Sequence, residues 1–567
     1  MACWLSFTIT PVQGFVEAAR TVRDLRVGSD ILCLLAHAAY QAATAIGAPR
    51  PVLPASPDRA HMPNTFLLEY DAETDAKTAG DQAVEAAEDA WTGLAADVKG
   101  LIGITDSAWD LQIKSYFDIR SLVIPLGGCG DAAERHKRAA LALGSTKLIR
   151  HTPADQGSDR PKCTIMGEWE QVDHPAPYSR DRLHVREGER LCAVALVKRF
   201  APLARCADPG LKDLAGEVPD TGGVATQAWA ASATASAEWE AYRTAAKGLG
   251  EPPISRLLLE GRDQIIEDLG KARSTEVDAV CAARRALTDA VRNELGPPPR
   301  YYAILCLDGD DMGKWLRREK STYIREEGFE VWVSEELLCY CCKVRCIVDG
   351  HNAYLVYAGG DDVLALTPLA TMPQLALDLR EAYPDFSGEH EAGPSTASIG
   401  VAVVHYKSNL QEGLQTARRM LRRAKDDGRD RIGLAVHKRS GGATECTASW
   451  EALRAMEVVR GFYQGPQPMS DRWLGRFGEL AGTLSAAASA APVRNQVTYF
   501  AARAEGAEDR KALFPDAVGA LWDSVAASVK KAIDERGSGD PPRERIETLL
   551  ALAGLASFLD RGVDLHG

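Results

Sequence analysis

Basic charge is in short supply in this 567-residue sequence: 66 Lys and Arg stand against 79 Asp and Glu, a formal net charge of −13. That deficit argues against a free-standing nucleic-acid binder held by a general basic surface. Only local basic stretches remain, notably 418–431, so contact with RNA or phosphates is left to one face. The N-terminus lacks a basic region followed by a clean apolar core, so no signal peptide is expected. No long apolar run is present either. The most apolar segment, 31–46, is interrupted by His37, Tyr40 and Gln41 and is too short to span a bilayer, so a soluble, cytoplasmic chain without a membrane is expected. The 13 cysteines are odd in number and irregularly spread, with no compact framework of the small secreted type. None of the 11 histidines precedes an aspartate, which removes the His-Asp dipeptide of metal-dependent phosphohydrolases, and neither a P-loop lysine motif nor a GxSxG elbow occurs.

What the chain does have is two acidic clusters behind strand-like runs. Tyr301 to Leu307 leads into Asp308-Gly309-Asp310-Asp311-Met312-Gly313, and Tyr354 to Ala358 leads into Gly359-Gly360-Asp361-Asp362. Two adjacent strands of that kind would bring Asp308, Asp361 and Asp362 to one sheet end, where hard oxygen ligands collect Mg²⁺ or Mn²⁺. A carboxylate-held metal pair is the minimal equipment for nucleotidyl transfer.

The rest of the chain gives these clusters a frame. Residues 1–145 read as a β-α-β-β-α-β-like succession: a strand to Thr10, a helix 12–25, a break with a helix cap at Gly28-Ser29-Asp30, a helix 31–46, a proline-rich stretch 49–63, a strand 65–70, a helix 76–101 and a strand 121–126. Residues 146–298 are a less regular, mixed insertion with polar loops such as 151–162 and helices 189–200 and 274–294. Pro297-Pro298-Pro299 marks the clearest boundary. The strand-helix order then recurs over 299–440 (strands 301–307, 354–357, 363–367, 395–404 and 432–436; helices 324–349, from Met372, and 410–426), Ser440-Gly441-Gly442 reads as a linker, and 441–567 as a helical bundle. The fold class expected is α+β: two ferredoxin-like modules, an intervening mixed domain and a C-terminal helical bundle, with acidic clusters only in the second module.

Blander readings exist for each motif. Gly-Gly suits positive φ at a tight turn, so the second cluster alone fits a hairpin with two solvated aspartates. The first partly matches a calcium loop, with Glu319 twelfth, but its fifth position is Met312 and the preceding element is strand-like. A strand-to-helix turn suits it better, with Asp308 on a metal and the Gly309–Gly313 backbone, Asp310 included, around phosphate oxygens. Lys425 on a later helix would offset phosphate charge. Cys339, Cys342 and Cys346 share one helix face, where buried thiols behave as small apolar residues, so core packing rather than zinc is expected there.

Thr8-Ile9-Thr10-Pro11-Val12-Gln13-Gly14-Phe15, Arg23-Asp24-Leu25-Arg26-Val27-Gly28-Ser29 and Met62-Pro63-Asn64, together with 307–316, 357–366, 398–407 and Ala424-Lys425, resemble in collinear order the large subunit of type III CRISPR effector complexes, the Cmr-type Cas-ten family. The resemblance implies two palm domains similar to polymerases and cyclases, a zinc-bearing thumb-like insertion and a C-terminal helical domain. It implies partners: other complex subunits, and crRNA and target RNA through the complex. It also implies RNA-triggered synthesis of cyclic oligoadenylates from ATP. Asp308, Asp361 and Asp362 would hold two metals. Gly28 and Ser29 would line the first-palm nucleotide site, with Gly309, Asp310, Gly313, Gly359, Gly360 and Lys425 around the other nucleotide. One ATP, its α-phosphate polarised by the metals, would be attacked by a ribose hydroxyl of a second ATP held by the first palm.

Two departures stand out. The first palm starts almost at Met1, so the HD nuclease domain of many members is expected to be absent. In the insertion, segments 161–167 and 191–199 each keep one cysteine, Cys163 and Cys192, with Met166 and Ala195 where the second thiolate would be expected, so zinc is not expected there. Two alternatives stay open: a catalytically silent scaffold holding the crRNA-bound complex, and a product in which AMP joins a different adenosine-containing acceptor.

Overall fold

The computed structural model describes residues 2–57, 59–127, 132–148, 159–180, 183–216, 218–249, 254–269, 271–320, 328–387, 394–439, 442–464, 467–484, 490–539 and 541–561. The chain is mixed α and β, with two principal sheets and a helical C-terminal part.

The first sheet contains β1 (Cys3–Thr10), β2 (Arg50–Leu53), β3 (Thr65–Tyr70) and β4 (Asp118–Pro125), ordered β2-β3-β1-β4 with every pair antiparallel. This is the ferredoxin-like order, with the helices Val22–Thr44 and Glu73–Ile102 as crossovers. Alternation along β1 fixes its faces: Leu5, Phe7 and Ile9 pack under the helices, while Trp4 joins Val52, Leu67 and Ile124 on the other side. The proline-rich stretch contains β2, whose Pro51 sits on an edge strand where its missing N–H costs no ladder bond.

The expected helix break at Gly28-Ser29-Asp30 is a correction. The helix runs unbroken from Val22 to Thr44, and the interruption lies at 18–21, where the Thr21 side chain caps it by accepting the Asp24 N–H. Asp30 is bound within the helix by Arg26 at 3.0 Å, and Gly28 leaves room for Lys198.

In the insertion, the short hairpin β5 (Tyr178–Arg180) and β6 (Leu183–Val185) precedes the helix Ala193–Phe200, shorter than the expected 189–200. Residues 151–158 of the expected polar loop lie outside the described residues, as do 324–327 of the expected helix 324–349 and Ser440-Gly441 of the expected linker.

The second sheet contains β7 (Tyr301–Gly309), β8 (Tyr354–Gly359), β9 (Asp362–Pro368), β10 (Ala397–His405), β11 (Arg431–His437) and β12 (Ala443–Ser449), in the order β12-β11-β10-β7-β9-β8. Only β10 and β11 are parallel, joined by the helix Leu410–Asp426. The strand β12 was expected as linker and helix; it extends the second sheet past residue 440 to Ser449. Tyr302, Ile304, Cys306 and Leu364 face Leu410, Leu414 and Ala417, while Tyr301, Ala303, Leu305 and Val363 face the helix Phe329–Gly350 and the C-terminal helices. The 339–346 cysteines are also corrected: Cys339, Cys342 and Cys346 are exposed, and Cys341 is the buried one. Among the described residues no helix is long and apolar enough to cross a membrane.

The Leu410–Asp426 helix lies so close to the sheet that a Cβ on Gly400 would overlap the Ala417 carbonyl, and one on Gly433 the Met420 carbonyl. Backbone cannot yield as a flexible side chain would. Gly400→Ala is expected to cost about 1–3 kcal/mol, read as a lowered Tm in thermal denaturation.

Candidate active site between two sheets

Antiparallel pairing of β7 with β9 sets Leu307 opposite Val363, and the Gly309 N–H donates to the Asp361 carbonyl at 3.2 Å. Continuing that register puts Asp308 opposite Asp362 on one face of the sheet end, while Asp361 stands on the turn opposite Gly309. The turn itself is tight: β8 and β9 close through Gly359 paired with Asp362, and Gly360 at φ +70° occupies the first central position, as a type II′ hairpin requires. Nothing lies within 4 Å of where a Cβ on Gly359 or Gly360 would sit, so the backbone there is open to a close approach.

All three aspartates therefore share one sheet end, but they do not converge. Among the described residues no three His, Cys, Asp or Glu side chains form a group able to hold a metal. The pleat turns Asp361 away from its neighbours' face, and the Asp308 carboxylate is taken by the Lys425 ammonium, which also donates to the Gly309 carbonyl at 2.9 Å. Burial, with Arg429 nearby, lowers the Lys425 amine to about 8. The side chain expected to meet a phosphate thus rests on an aspartate.

Asp361 and Asp362 carry the opposite electrostatics. Burial first, and the Asp362 charge second, push the Asp361 carboxyl up to about 7. Burial raises Asp362 as well, and Arg418 partly offsets it. Among the described residues no Lys or Arg forms an ion pair with Asp361. Adjacent half-buried carboxylates short of positive charge have the hard-oxygen chemistry a divalent cation takes, but with Asp308 held by Lys425 the three do not form a closed donor set.

The Asp310 carboxylate is turned inward instead. It is 2% exposed and accepts from Ser398 Oγ at 2.8 Å, Thr396 Oγ1 at 2.8 Å and the Asp430 N–H at 3.0 Å. Its own N–H donates to the Thr396 carbonyl at 2.8 Å. The amides of Gly309 and Asp310 are thus spent on protein carbonyls, which corrects the expected phosphate cradle: only the part of the turn from Asp311 to Gly313 remains to face a ligand. Gly309 serves packing, since a Cβ there would overlap Tyr383 Oη.

Sequence reasoning missed three residues here. Asp311 adopts a left-handed backbone at φ +59° and gathers Lys320 at 2.6 Å, with Lys314 and Arg429 each at 3.2 Å. Arg418 donates to Tyr357 Oη at 3.0 Å and pairs with Glu17 of the first sheet's module. Tyr383 donates to Met312 Sδ at 3.3 Å. The only sequence signals were a third acidic residue in the first cluster, at 311, and the basic run at 418–431.

A cavity of about 1760 Å³ separates the two sheets' modules. Thr8, Ser29 and Asn64 line it from the first module, Ile165 to Glu170 from the insertion, and Tyr357, Gly359 and Asp362 from the second. Ser29 is on the cavity wall. Gly28 is not: a Cβ on it would meet the Lys198 side chain at 2.9 Å, so this glycine makes room for a buried lysine. Asp308, Asp361 and Lys425 lie off the cavity wall, beyond the sheet end. Arg26 ties the modules together by donating to the Leu355 and Val356 carbonyls of edge strand β8, at 3.3 and 2.8 Å.

Two ferredoxin-like sheets across a cavity, one ending in a Gly-Gly-Asp-Asp hairpin beside a strand-borne aspartate, define a palm-domain protein. Family models agree with that class. The second palm domain of Cas10/Cmr2 matches residues 301–433, and the N-terminal region of the CRISPR-associated protein Cmr2 matches residues 4–96. The CRISPR system Cmr subunit Cmr2 of Pyrococcus furiosus (strain ATCC 43587 / DSM 3638 / JCM 8422 / Vc1) is 33% identical over 193 residues, which are 29% of this chain and 22% of that protein, so the match spans under a quarter of the relative's length. Among solved structures, a type III-B Cmr-beta chain in the apo state superposes with a TM-score of 0.64 at 11% identity, covering 98% of this chain and 82% of its own. The same type of complex bound to cognate target RNA gives 0.62 at 12% identity, over 89% and 78%. Residues 4–96 and 301–433 therefore match regions of the Cas10/Cmr2 family, and the chain shares its fold with the Cmr-beta chains.

Proposed function

We propose that the chain is the nucleotidyltransferase subunit of a cytoplasmic type III CRISPR antiviral complex, in which it joins ATP into cyclic oligoadenylate, or a related AMP-containing messenger, with release of pyrophosphate. The observation that carries this reading is the placement of Asp308 and Asp362 on one face of a sheet end, with Asp361 on the adjoining turn, next to a cavity closed by a second palm. At about 1760 Å³ that cavity exceeds the ~300–1,000 Å³ of ordinary small-ligand pockets and has room for more than one nucleotide. Asp308, Asp361 and Asp362 would hold Mg²⁺ or Mn²⁺, which when bound supplies polarisation of the α-phosphate and a lowered pKa for the attacking hydroxyl. The chain's own share is positioning: Gly359 admits the nucleotide to the backbone, Lys425 exchanges Asp308 for a phosphate oxygen, and the first-palm wall around Ser29 orients the acceptor. Other complex subunits, crRNA and target RNA are the partners proposed, since the matched Cmr-beta structures are an apo complex and one bound to cognate target RNA.

The experiment is incubation of labelled ATP with the assembled complex, with and without cognate target RNA. Pyrophosphate release dependent on target RNA, and an AMP-containing product in the mass spectrum, are expected. No release under either condition favours the second reading, a silent scaffold, to which the Lys425–Asp308 pairing lends its one supporting observation.

A further inference from the structure

The insertion holds a cluster of sulfur atoms that nucleotidyl transfer does not use. Cys163 and Cys192 are 3% and 0% exposed and belong to different segments, laid side by side where the Thr164 N–H meets the Arg190 carbonyl at 2.8 Å and the Val172 N–H the Leu191 carbonyl at 3.0 Å. Each cysteine opens a tight turn whose amides point back at its sulfur. Cys163 Sγ accepts the Met166 N–H at 3.4 Å, and Cys192 precedes the Ala193–Phe200 helix, taking amides from Val194 and Ala195. The Cys192 thiol hydrogen-bonds to Cys163 and reaches Met166 Sδ at 3.4 Å. Two thiols and a thioether therefore meet at one point. The Cys192 contact and the surrounding amides bring the Cys163 thiol down to about 6, against its burial, while burial and the neighbouring Cys163 raise Cys192.

The family resemblance implies zinc at this place, and the donors do not fit it. A structural zinc site closes with four nitrogen or sulfur ligands, whereas here the fourth corner is Ala195 and the third a neutral thioether, a weak donor for Zn²⁺. Two thiolates with one thioether is instead a soft, three-coordinate set of the kind that selects a monovalent d¹⁰ ion. We infer that Cys163, Cys192 and Met166 form a buried site for Cu(I) in the insertion domain. Binding releases the Cys192 proton, and any proton left on Cys163, to solvent and involves no change of oxidation state. The way in is visible: Met166 is only half-buried and lines the large cavity together with Ile165 and Gly167, so the ion enters past the thioether and ends beneath the cavity wall. That wall is joined to the catalytic palm through Gln411, which donates to the Ile165 carbonyl at 2.9 Å.

The test is anaerobic titration of the full chain with Cu(I) supplied as its bicinchoninate complex. The starting protein carries Cys206→Ser, Cys339→Ser, Cys342→Ser and Cys346→Ser, which removes the exposed thiols among the described residues as competitors, together with Cys129→Ser. Uptake of one Cu(I) per chain is expected, with a thiolate-to-copper absorption in the near ultraviolet. Cys192→Ser is expected to abolish both signals. Met166→Leu, which keeps the packing, is expected to weaken binding by at least about tenfold, a scale on which even outer-shell partners tune a metal site. Absence of uptake, uptake that survives Cys163→Ser with Cys192→Ser, or zinc retained stoichiometrically through dialysis against EDTA overturns the assignment. Should Cys192→Ser not fold, unchanged affinity in Met166→Leu overturns it alone. None of these readouts depends on ATP turnover.

Discussion

Asp361→Ala combined with Asp362→Ala is expected to abolish target-RNA-dependent pyrophosphate release while leaving the chain folded and assembled. Loss of a single preorganised electrostatic group commonly costs ~10²–10³ in rate, so removing two adjacent carboxylates should take turnover below detection. The stability side follows from the same geometry. Burial and mutual repulsion disfavour both charges in the fold, Asp361 having no cationic partner among the described residues. Their removal should leave Tm in metal-free buffer unchanged or higher, a site whose activity requires a locally unfavourable arrangement. Continued pyrophosphate release from the folded double variant would refute the placement of the site. Lowered Tm with lost activity would show instead that the pair supports the fold.

Much of this architecture was legible because it rests on local chemistry. Period-two apolar runs ending in Asp308 and at Gly359 announced strands, and glycine takes the φ +70° found at Gly360 without strain. What escaped depends on partners remote in sequence. Gly28 looks like a helix breaker until Lys198, 170 positions later, is seen packed against it; the true interruption at 18–21 contains neither glycine nor proline. The strand Ala443–Ser449 is too polar to alternate clearly and exists because β11 offers it an edge. Cys339, Cys342 and Cys346 share a face, but spacing alone cannot say which face is buried, and the helix buries Cys341 instead.

The same limit applied to the site. Three aspartates at one sheet end followed from strand order, yet their orientation did not. Ser398 and Thr396 draw Asp310 inward, Lys425 covers Asp308, and the turn carries Asp361 to the opposite side. On the proposed function, assembly of a coordination set would require Lys425 to leave Asp308, and an incoming triphosphate would supply the acceptor for that exchange, coupling nucleotide and cation binding through one side chain.

Arg199→Met is expected to be the most destabilising single change, costing ~3–5 kcal/mol, the scale for breaking a buried ion pair on one side. Arg199 reaches Asp24 through Nε at 2.7 Å and through Nη2 at 2.8 Å, and contacts Glu189 at 3.3 Å; the three side chains are 7%, 4% and 1% exposed. Methionine fills the volume but leaves buried Asp24 without its ion-pair partner and Glu189 with only the more distant Arg20, at 3.7 Å. Burial alone would push the Asp24 carboxyl up, and the Arg199 guanidinium reverses this and holds it below the ordinary value of 3.8. A depressed carboxylate contributes stability above its unfolded pKa and loses it as pH falls through the folded one. In the variant the orphaned Asp24 is instead raised, so its penalty is full at neutral pH and relieved as it takes up a proton. The Tm gap between parent and variant should therefore be wide at pH 7.5 and narrow toward pH 4, followed by thermal denaturation with circular dichroism. Adding Asp24→Asn should recover part of the loss, because the pair is coupled. A gap constant with pH, or no recovery, would mean that Arg199 acts through packing alone. The consequence reaches the cavity, since Asp24 lies about one and a half turns before Ser29 on the same helix, so loosening this anchor loosens the cavity wall of the first module.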